Sequence, residues 1–402
     1  MAEPKKLSLG VQSFSRLIEE GYIYVDKTEY IYDLVRRNSY YFLSRPRRFG
    51  KSLLISTLAE LFSGNKELFK DTFIASTNYE WKKRSVIELD FSTLSSESPE
   101  DLKQSLLRTL EHHANAHGID VSKDTSIELR TVALVKGLAV NHKVVILVDE
   151  YDHPLLNTIE DLARFEKCRD VLRTFFTTLK SLNKHIDFTF ITGITKVSQT
   201  SIFSGLNNLI DISLDPQAAK LLGYTSEEIV AHFKPYLVEL SKGTNKTLEE
   251  NLDEIRYWYN GYQFAHTSSL YPENSMKVSN PFSVLNCLRV RAFENYWFET
   301  ATPSFLMHLM KVKNYSIFDV EEAQVNIDET KAYDFDQIQL IPLLWQTGYL
   351  TIENYNEQTK NYKLRYPNAE VRVAFLKHFI HYLTGAKGSV VSDYSIQLKN
   401  AL

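Results

Sequence analysis

Between residues 40 and 62 a short apolar run, Tyr40–Ser44, passes through Arg45-Pro46-Arg47-Arg48-Phe49-Gly50-Lys51-Ser52 into a stretch with apolar residues at 54, 55, 58, 61 and 62. The first run has the length and composition of a strand and the second the spacing of a helix. A phosphate-binding loop sits at such a junction. It needs backbone N–H groups aimed at the phosphates, a lysine to reach the β- and γ-oxygens, and a hydroxyl for Mg²⁺. Gly50, Lys51 and Ser52 meet these needs, while Arg45 stands where the usual G-x-x-x-x-G-K-[ST] pattern has its first glycine. Arg45, Pro46, Arg47, Arg48, Phe49, Gly50, Lys51, Ser52 and Leu53 are the candidate nucleotide contacts, with Ser52 also a metal ligand. Glycine occurs only 14 times in 402 residues, about half its usual share, so Gly50 at this point carries weight. A basic turn capping a surface helix is the bland alternative, and the flanking elements argue against it.

Val144-Val145-Ile146-Leu147-Val148 is wholly apolar and ends in Asp149-Glu150. A run of this kind belongs in a buried parallel strand, and ligands bind beyond the carboxyl ends of such strands. There Asp149 would join the Mg²⁺ shell and Glu150 would orient and deprotonate the attacking water. Phosphate-loop NTPases that place a catalytic glutamate beside the metal aspartate insert an extra strand between the loop strand and the aspartate strand, and this chain is expected to do the same. Phe188–Thr192 fills that place, with Thr192 at its tip facing the γ-phosphate or the water. The expected sheet order is therefore 86–91, 144–148, 188–192, 40–44, 210–214. Lys196 follows the same tip and is the candidate for neutralising charge on the γ-phosphate, with Arg47 and Arg48 as rivals inside the loop. Asn183-Lys184-His185-Ile186 lacks the aspartate of a guanine-selecting motif, so adenine is the expected base.

The rest of the chain fits a globular protein of two or three domains. Net charge is −4, 44% of residues are hydrophobic and 24% charged, which excludes a disordered chain and argues against a general nucleic-acid coat. Two cysteines, Cys168 and Cys287, cannot build a disulfide framework or a four-cysteine zinc site. No secretory leader or membrane span is visible, so a cytoplasmic setting without membrane contact is expected. Residues 1–215 alternate strands with helical stretches (52–61, 102–113, 165–182), as in an α/β domain. Residues 216–300 read as helical, with Ser226-x-Glu228 opening one helix and 248–257 forming another. Residues 301–402 read as a mixed unit: a helix at 340–345, a hairpin of 349–352 and 362–365, and a terminal helix from Glu370 to Leu383 stopped by Gly385. That order suggests a winged-helix-like end.

The loop together with Tyr24-Val25-Asp26-Lys27-Thr28, Asp149-Glu150-Tyr151-Asp152 and Ser201-Ile202-Phe203-Ser204-Gly205-Leu206-Asn207-Asn208 resembles the AAA-ATPase-like family of bacterial proteins. Trp258-Tyr259-Asn260-Gly261-Tyr262, Asn280-Pro281-Phe282-Ser283, Tyr296-Trp297-Phe298-Glu299-Thr300 and Tyr366-Pro367-Asn368-x-Glu370-Val371-Arg372 extend the likeness over nearly the whole chain. The resemblance implies an α/β P-loop NTPase of the ASCE/AAA-like type, with helices on both faces of a parallel sheet. A helical lid-like subdomain and the C-terminal unit would follow. It implies ATP and Mg²⁺ as ligands, and leaves room for an oligomer. Asp26, Lys27 and Asp152 carry over as motif residues, either packing the N-terminal arm against the site or touching ligand. Family members often continue into a PD-(D/E)xK nuclease-like domain, expected to begin about where residue 402 falls. Within the chain, Asp71…Glu80-Trp81-Lys82 and Glu329-Thr330-Lys331 have the letters but not the strand context of that site.

Two alternatives to an ATPase coupling nucleotide turnover to domain motion remain open. One is a non-hydrolysing, nucleotide-gated module that recruits a protein or nucleic acid, suggested by Arg45. The other is an ATP-regulated nucleic-acid processing factor acting through residues 300–402. Other features read as structural: His113 and His117 as a polar helix end, His378 and His381 as a helix border, Lys311-Val312-Lys313 as a solvated face, and Tyr257–Tyr262 as a packed joint. Arg372 reaching the nucleotide from the last unit is a remote option.

Overall fold

The computed structural model describes residues 4–37, 39–196, 199–266, 276–297, 310, 320–326 and 339–384. Two helices, α1 (Phe14–Glu19) and α2 (Thr28–Val35), precede β1 (Tyr40–Ser44) and α3 (Lys51–Phe62). Then follow β2 (Ser85–Asp90), α4 (Pro99–Ala116), α5 (Ile127–Leu138), β3 (Val144–Asp149), α6 (His153–Leu156), α7 (Leu162–Ser181), β4 (Ile186–Gly193), α8 (Gln199–Ile202) and β5 (Leu209–Asp211). The five strands form one sheet in the order β2-β3-β4-β1-β5, and every pair is parallel. This is the expected order, with the β4 strand inserted between the loop strand and the aspartate strand.

Every residue of β1 and β3 is buried, because helices cover both faces of the sheet. Tyr41 and Phe42 are neighbours on β1 and so point to opposite faces. Tyr41 meets Phe188, which meets Phe62 of α3. Phe42 meets Phe203, which meets Phe176 of α7. A strand buried twice cannot alternate, which is why these runs read as uniformly apolar. The last strand is shorter than the expected 210–214. Ile212 N–H still donates to Phe42 O, but the next ladder position is taken by a side chain, the Ser44 N–H donating to Ser213 Oγ at 2.9 Å. Helix α5 was not foreseen: its buried stripe is Ile127, Arg130, Thr131, Leu134 and Val135, and the two polar members hide the apolar spacing.

Beyond the sheet come α9 (Ser226–Thr244), α10 (Leu248–Tyr259) and α11 (Pro281–Val290). Both α9 and α10 open with a capping box, Thr225 with Glu228 and Thr247 with Glu250, each satisfying two otherwise unpaired N–H groups. Pro235 lies inside α9, and the helix kinks at Phe233, as a residue without an N–H requires. These helices share a core of Ile229, Phe233, Leu237, Ile255, Tyr259 and Leu285 with Ile23 and Val25 of the N-terminal arm. The last unit holds β6 (Gln324–Asn326), α12 (Leu340–Thr347), β7 (Thr351–Asn356), β8 (Asn361–Arg365) and α13 (Ala369–Thr384). Its antiparallel sheet has the order β6-β8-β7. The expected helix, hairpin and helix are present, and β6 is an addition the sequence did not signal. Gly385, Glu329-Thr330-Lys331 and Lys311-Val312-Lys313 lie outside the described residues. Among the described residues no helix is long and apolar enough to cross a membrane, and both cysteines are free and buried.

Candidate functional site

The bend after β1 is fixed at both ends. Arg45 N–H donates to Gly193 O of the neighbouring strand at 3.1 Å, and Gly50 caps α3 in a left-handed conformation, φ +98°. A side chain at that φ is strained. Gly50 offers no capping oxygen either, so no N-cap side chain answers the first-turn N–H groups of α3, an arrangement that suits an anion at a helix start. The Lys51 side chain folds back under the bend, its Nζ donating to Arg45 O and Pro46 O, each at 3.1 Å. Burial draws its ammonium down from the usual lysine value, while Glu150, Asp149 and Asp152 hold it up.

Across the site β3 ends at Asp149. Its carboxylate accepts from the Thr192 hydroxyl and from the Glu150 N–H at 3.1 Å. Glu150 then leaves the strand with φ +50°, a conformation held by its surroundings. Those surroundings are the next two residues. Tyr151 N–H donates to Thr192 O at 2.9 Å, and the Tyr151 hydroxyl donates to Thr195 O at 3.1 Å. Asp152 accepts from Ile194 N–H, Thr195 N–H and the Thr195 hydroxyl. Asp152 is thus a clamp between β3 and β4. Gly193 must be glycine here, since a Cβ would lie 2.6 Å from the Tyr151 ring. Burial pushes the Glu150 carboxyl up, and the Lys51 ammonium pulls it back down.

The two ends meet in a cavity of about 430 Å³. Its polar floor is Arg47, Gly50, Lys51, Ser52 and Glu150, and its apolar wall includes Leu9, Tyr24, Val25, Leu222, Phe282 and Leu285. Arg48 (φ +68°) lies over the Phe282 ring at 5.0 Å, and Phe49 and Leu53 also line the space. Ser52 lines the cavity and Asp149 precedes Glu150 at the tip of β3; a hydroxyl and a carboxylate are hard oxygen donors of the kind that suit Mg²⁺. Among the described residues no group of three or more His, Cys, Asp or Glu could hold a metal. A metal here would therefore be shared with a ligand's phosphates, as Mg²⁺ usually is.

Five expected site residues, Arg45, Pro46, Asp149, Thr192 and Lys196, are not in the lining of this cavity. The Arg45 guanidinium is 1% exposed and turned behind the bend, donating to Ser44 O, Ser213 O and Ala218 O; it contributes only backbone to the loop. Lys196 is buried and paired with Asp211 at 2.7 Å, outside the lining of the main cavity, so its charge is already answered. Thr192 is fully buried, and its hydroxyl is committed to Asp149. Pro46 is buried and packs against Gly348, where a Cβ would lie 2.6 Å from it.

The motif residues left open also find their places. Asp26 accepts from Thr28 N–H and Phe73 N–H, and Lys27 pairs with Glu228 at 2.6 Å, tying the arm to α9. Residues that the sequence reading did not assign to the cavity include Lys27, His153, Leu222 and Phe282; Lys27 and Phe282 were legible only as motif letters. His113 and His117 bond backbone oxygens, Glu88 O and His113 O, and Glu80 pairs with Lys82 at the surface. Arg372 lies near Glu321 and outside the cavity lining.

A joint ties the later units to the loop. Glu370, fully buried at the start of α13, accepts from Tyr296 N–H, Trp297 N–H and the Ser283 hydroxyl at 2.7–2.8 Å. Trp297 Nε1 in turn donates to Arg47 O at 3.1 Å, and Lys196 N–H donates to Gln346 Oε1 at 2.8 Å.

A parallel sheet with this strand order, a glycine-lysine-serine bend opening the helix after β1, and two acids at the tip of β3 define an α/β protein of the phosphate-loop kind. The chain belongs to the AAA-ATPase-like family, described as Predicted AAA-ATPase, which it matches over residues 8–203. It is also 36% identical over 375 residues to an uncharacterized protein in the vnfD 5′ region of Azotobacter chroococcum mcd 1, a match covering 92% of this chain and 69% of that one.

Proposed function

We propose that the protein is a Mg²⁺-dependent ATPase whose nucleotide occupies the cavity between the loop and Glu150. The observation that carries this is the convergence of Gly50, Lys51, Ser52 and Glu150 on one cavity, although they lie about a hundred residues apart in sequence. In this reading the N–H groups at the start of α3 and the Lys51 ammonium hold the phosphates. Ser52 and Asp149 hold Mg²⁺, with Thr192 orienting the Asp149 carboxylate. When bound, Mg²⁺ would supply charge neutralisation to the phosphates. Glu150 orients the attacking water and takes its proton, and its burial brings it closer to the basicity such a group needs. The apolar wall takes the base, with adenine favoured on sequence grounds.

Arg45 does not argue for a non-hydrolysing module, since its side chain leaves the cradle open. The joint supports coupling of the bound nucleotide to the helical and C-terminal units, because Trp297 and Gly348 both rest on the loop. The test is turnover of ATP by the wild type and by Glu150→Gln. Turnover should fall roughly 10²- to 10⁴-fold, the usual contribution of a general base. Equal rates would refute the role given to Glu150.

A further inference from the structure

We propose that Arg47 reads the terminal phosphate of the bound nucleotide and that Trp297 positions it from the C-terminal side. The inference rests on the nucleotide reading above and adds the source of its specificity for a triphosphate over a diphosphate. Of the cationic side chains around the loop, Arg45 is spent on carbonyls behind it, Lys196 on Asp211 and Lys27 on Glu228. Lys51 is the phosphate lysine, and Arg48 is stacked on Phe282. Arg47 lines the cavity, and among the described residues its guanidinium makes no hydrogen bond or ion pair. Its backbone is nonetheless held, since its carbonyl accepts from the Trp297 indole at 3.1 Å. Trp297 is itself fully buried and pinned through its N–H to Glu370. An unpaired guanidinium on a fixed backbone beside the phosphate lysine is placed for fork-like bonding to a phosphate.

The test is titration of the full chain with ATP and with ADP, both with Mg²⁺, for wild type, Arg47→Ala, Arg47→Lys, Arg48→Ala, Trp297→Phe and the Arg47→Ala/Trp297→Phe double variant. Losing a charge-assisted bond should weaken ATP about 10- to 100-fold in Arg47→Ala while ADP stays within about threefold. Arg47→Lys should recover part of the loss, since the charge remains but the fork does not. Trp297→Phe should shift the ATP/ADP ratio in the same direction, and the double variant should match Arg47→Ala alone, as coupled residues do. Unchanged ATP affinity in Arg47→Ala, equal loss for both nucleotides, or a selective loss carried by Arg48→Ala would each overturn the assignment. A wild type that binds neither nucleotide would overturn the functional reading, and the inference with it.

Discussion

Arg45 shows what a single position does here. Where similar loops carry a glycine, this chain buries a guanidinium that three carbonyls receive, two of them 168 and 173 residues away in sequence. Burial pushes it down to about 9, so it stays charged at neutral pH. Arg45→Ala should destabilise the protein by about 3 kcal/mol, because charged hydrogen bonds are lost and buried acceptors are left unpaired. Arg45→Gly, which restores the usual loop letter, should cost more through added backbone freedom. Urea unfolding checks both, and a neutral Arg45→Gly would contradict the account.

Glu370 makes a second residue-scale prediction. Burial raises its carboxyl from 4.5 to about 7 against the pull of its donors. The folded state therefore keeps a proton that the unfolded state loses, and stability should fall as pH rises from about 4.5 to 7. Glu370→Gln cannot titrate, so unfolding curves of the variant should lack this slope; parallel pH profiles would count against it. Gly50, Lys51, Ser52 and Glu150 were legible because their chemistry requires given residue types in local order. The directions of Arg45, Thr192 and Lys196 were not, because distant partners such as Ser213, Asp149 and Asp211 set them.

At the scale of elements, the sheet order was legible because β1 and β3, buried on both faces, read as uniformly apolar and because an acid pair after the aspartate strand goes with an inserted strand in phosphate-loop NTPases. The edge strands β2 and β5 are partly exposed. What failed were elements whose pattern is broken by a polar buried residue, as in α5, or that are too short to show one, as in β6. The turn after α12 yields a test. Gly348 has φ +93° and sits against Pro46 of the loop. Gly348→Ala should lower stability by roughly 2 kcal/mol, through left-handed strain and overpacking. It should also weaken nucleotide binding, since Pro46 O is one of the two acceptors of Lys51. An unfolding and a binding curve on one preparation decide it, and unchanged nucleotide affinity would disconnect the C-terminal turn from the loop.

At the scale of the whole molecule, the motif letters outside the phosphate loop gain a common explanation. Asn280 caps α11, Ser283 and the N–H groups of Tyr296 and Trp297 converge on Glu370, and a Cβ on Gly261 would collide with Pro367 O. These residues form the joint through which the later units rest on the loop. No local pattern could reveal that, since each motif supplies only one part of it.

The central claim is that a nucleoside triphosphate docks at the bend around Gly50, opposite Glu150. Calorimetric titration of Mg²⁺–ATP into wild type and Lys51→Ala tests it most directly. Saturable binding at one site per chain is expected for the wild type. About 100-fold weaker binding is expected for the variant, with the fold retained by circular dichroism and a somewhat lower melting temperature without ligand, since Arg45 O and Pro46 O lose their donor. Equal affinity in the two proteins, or no binding to the wild type, would contradict it.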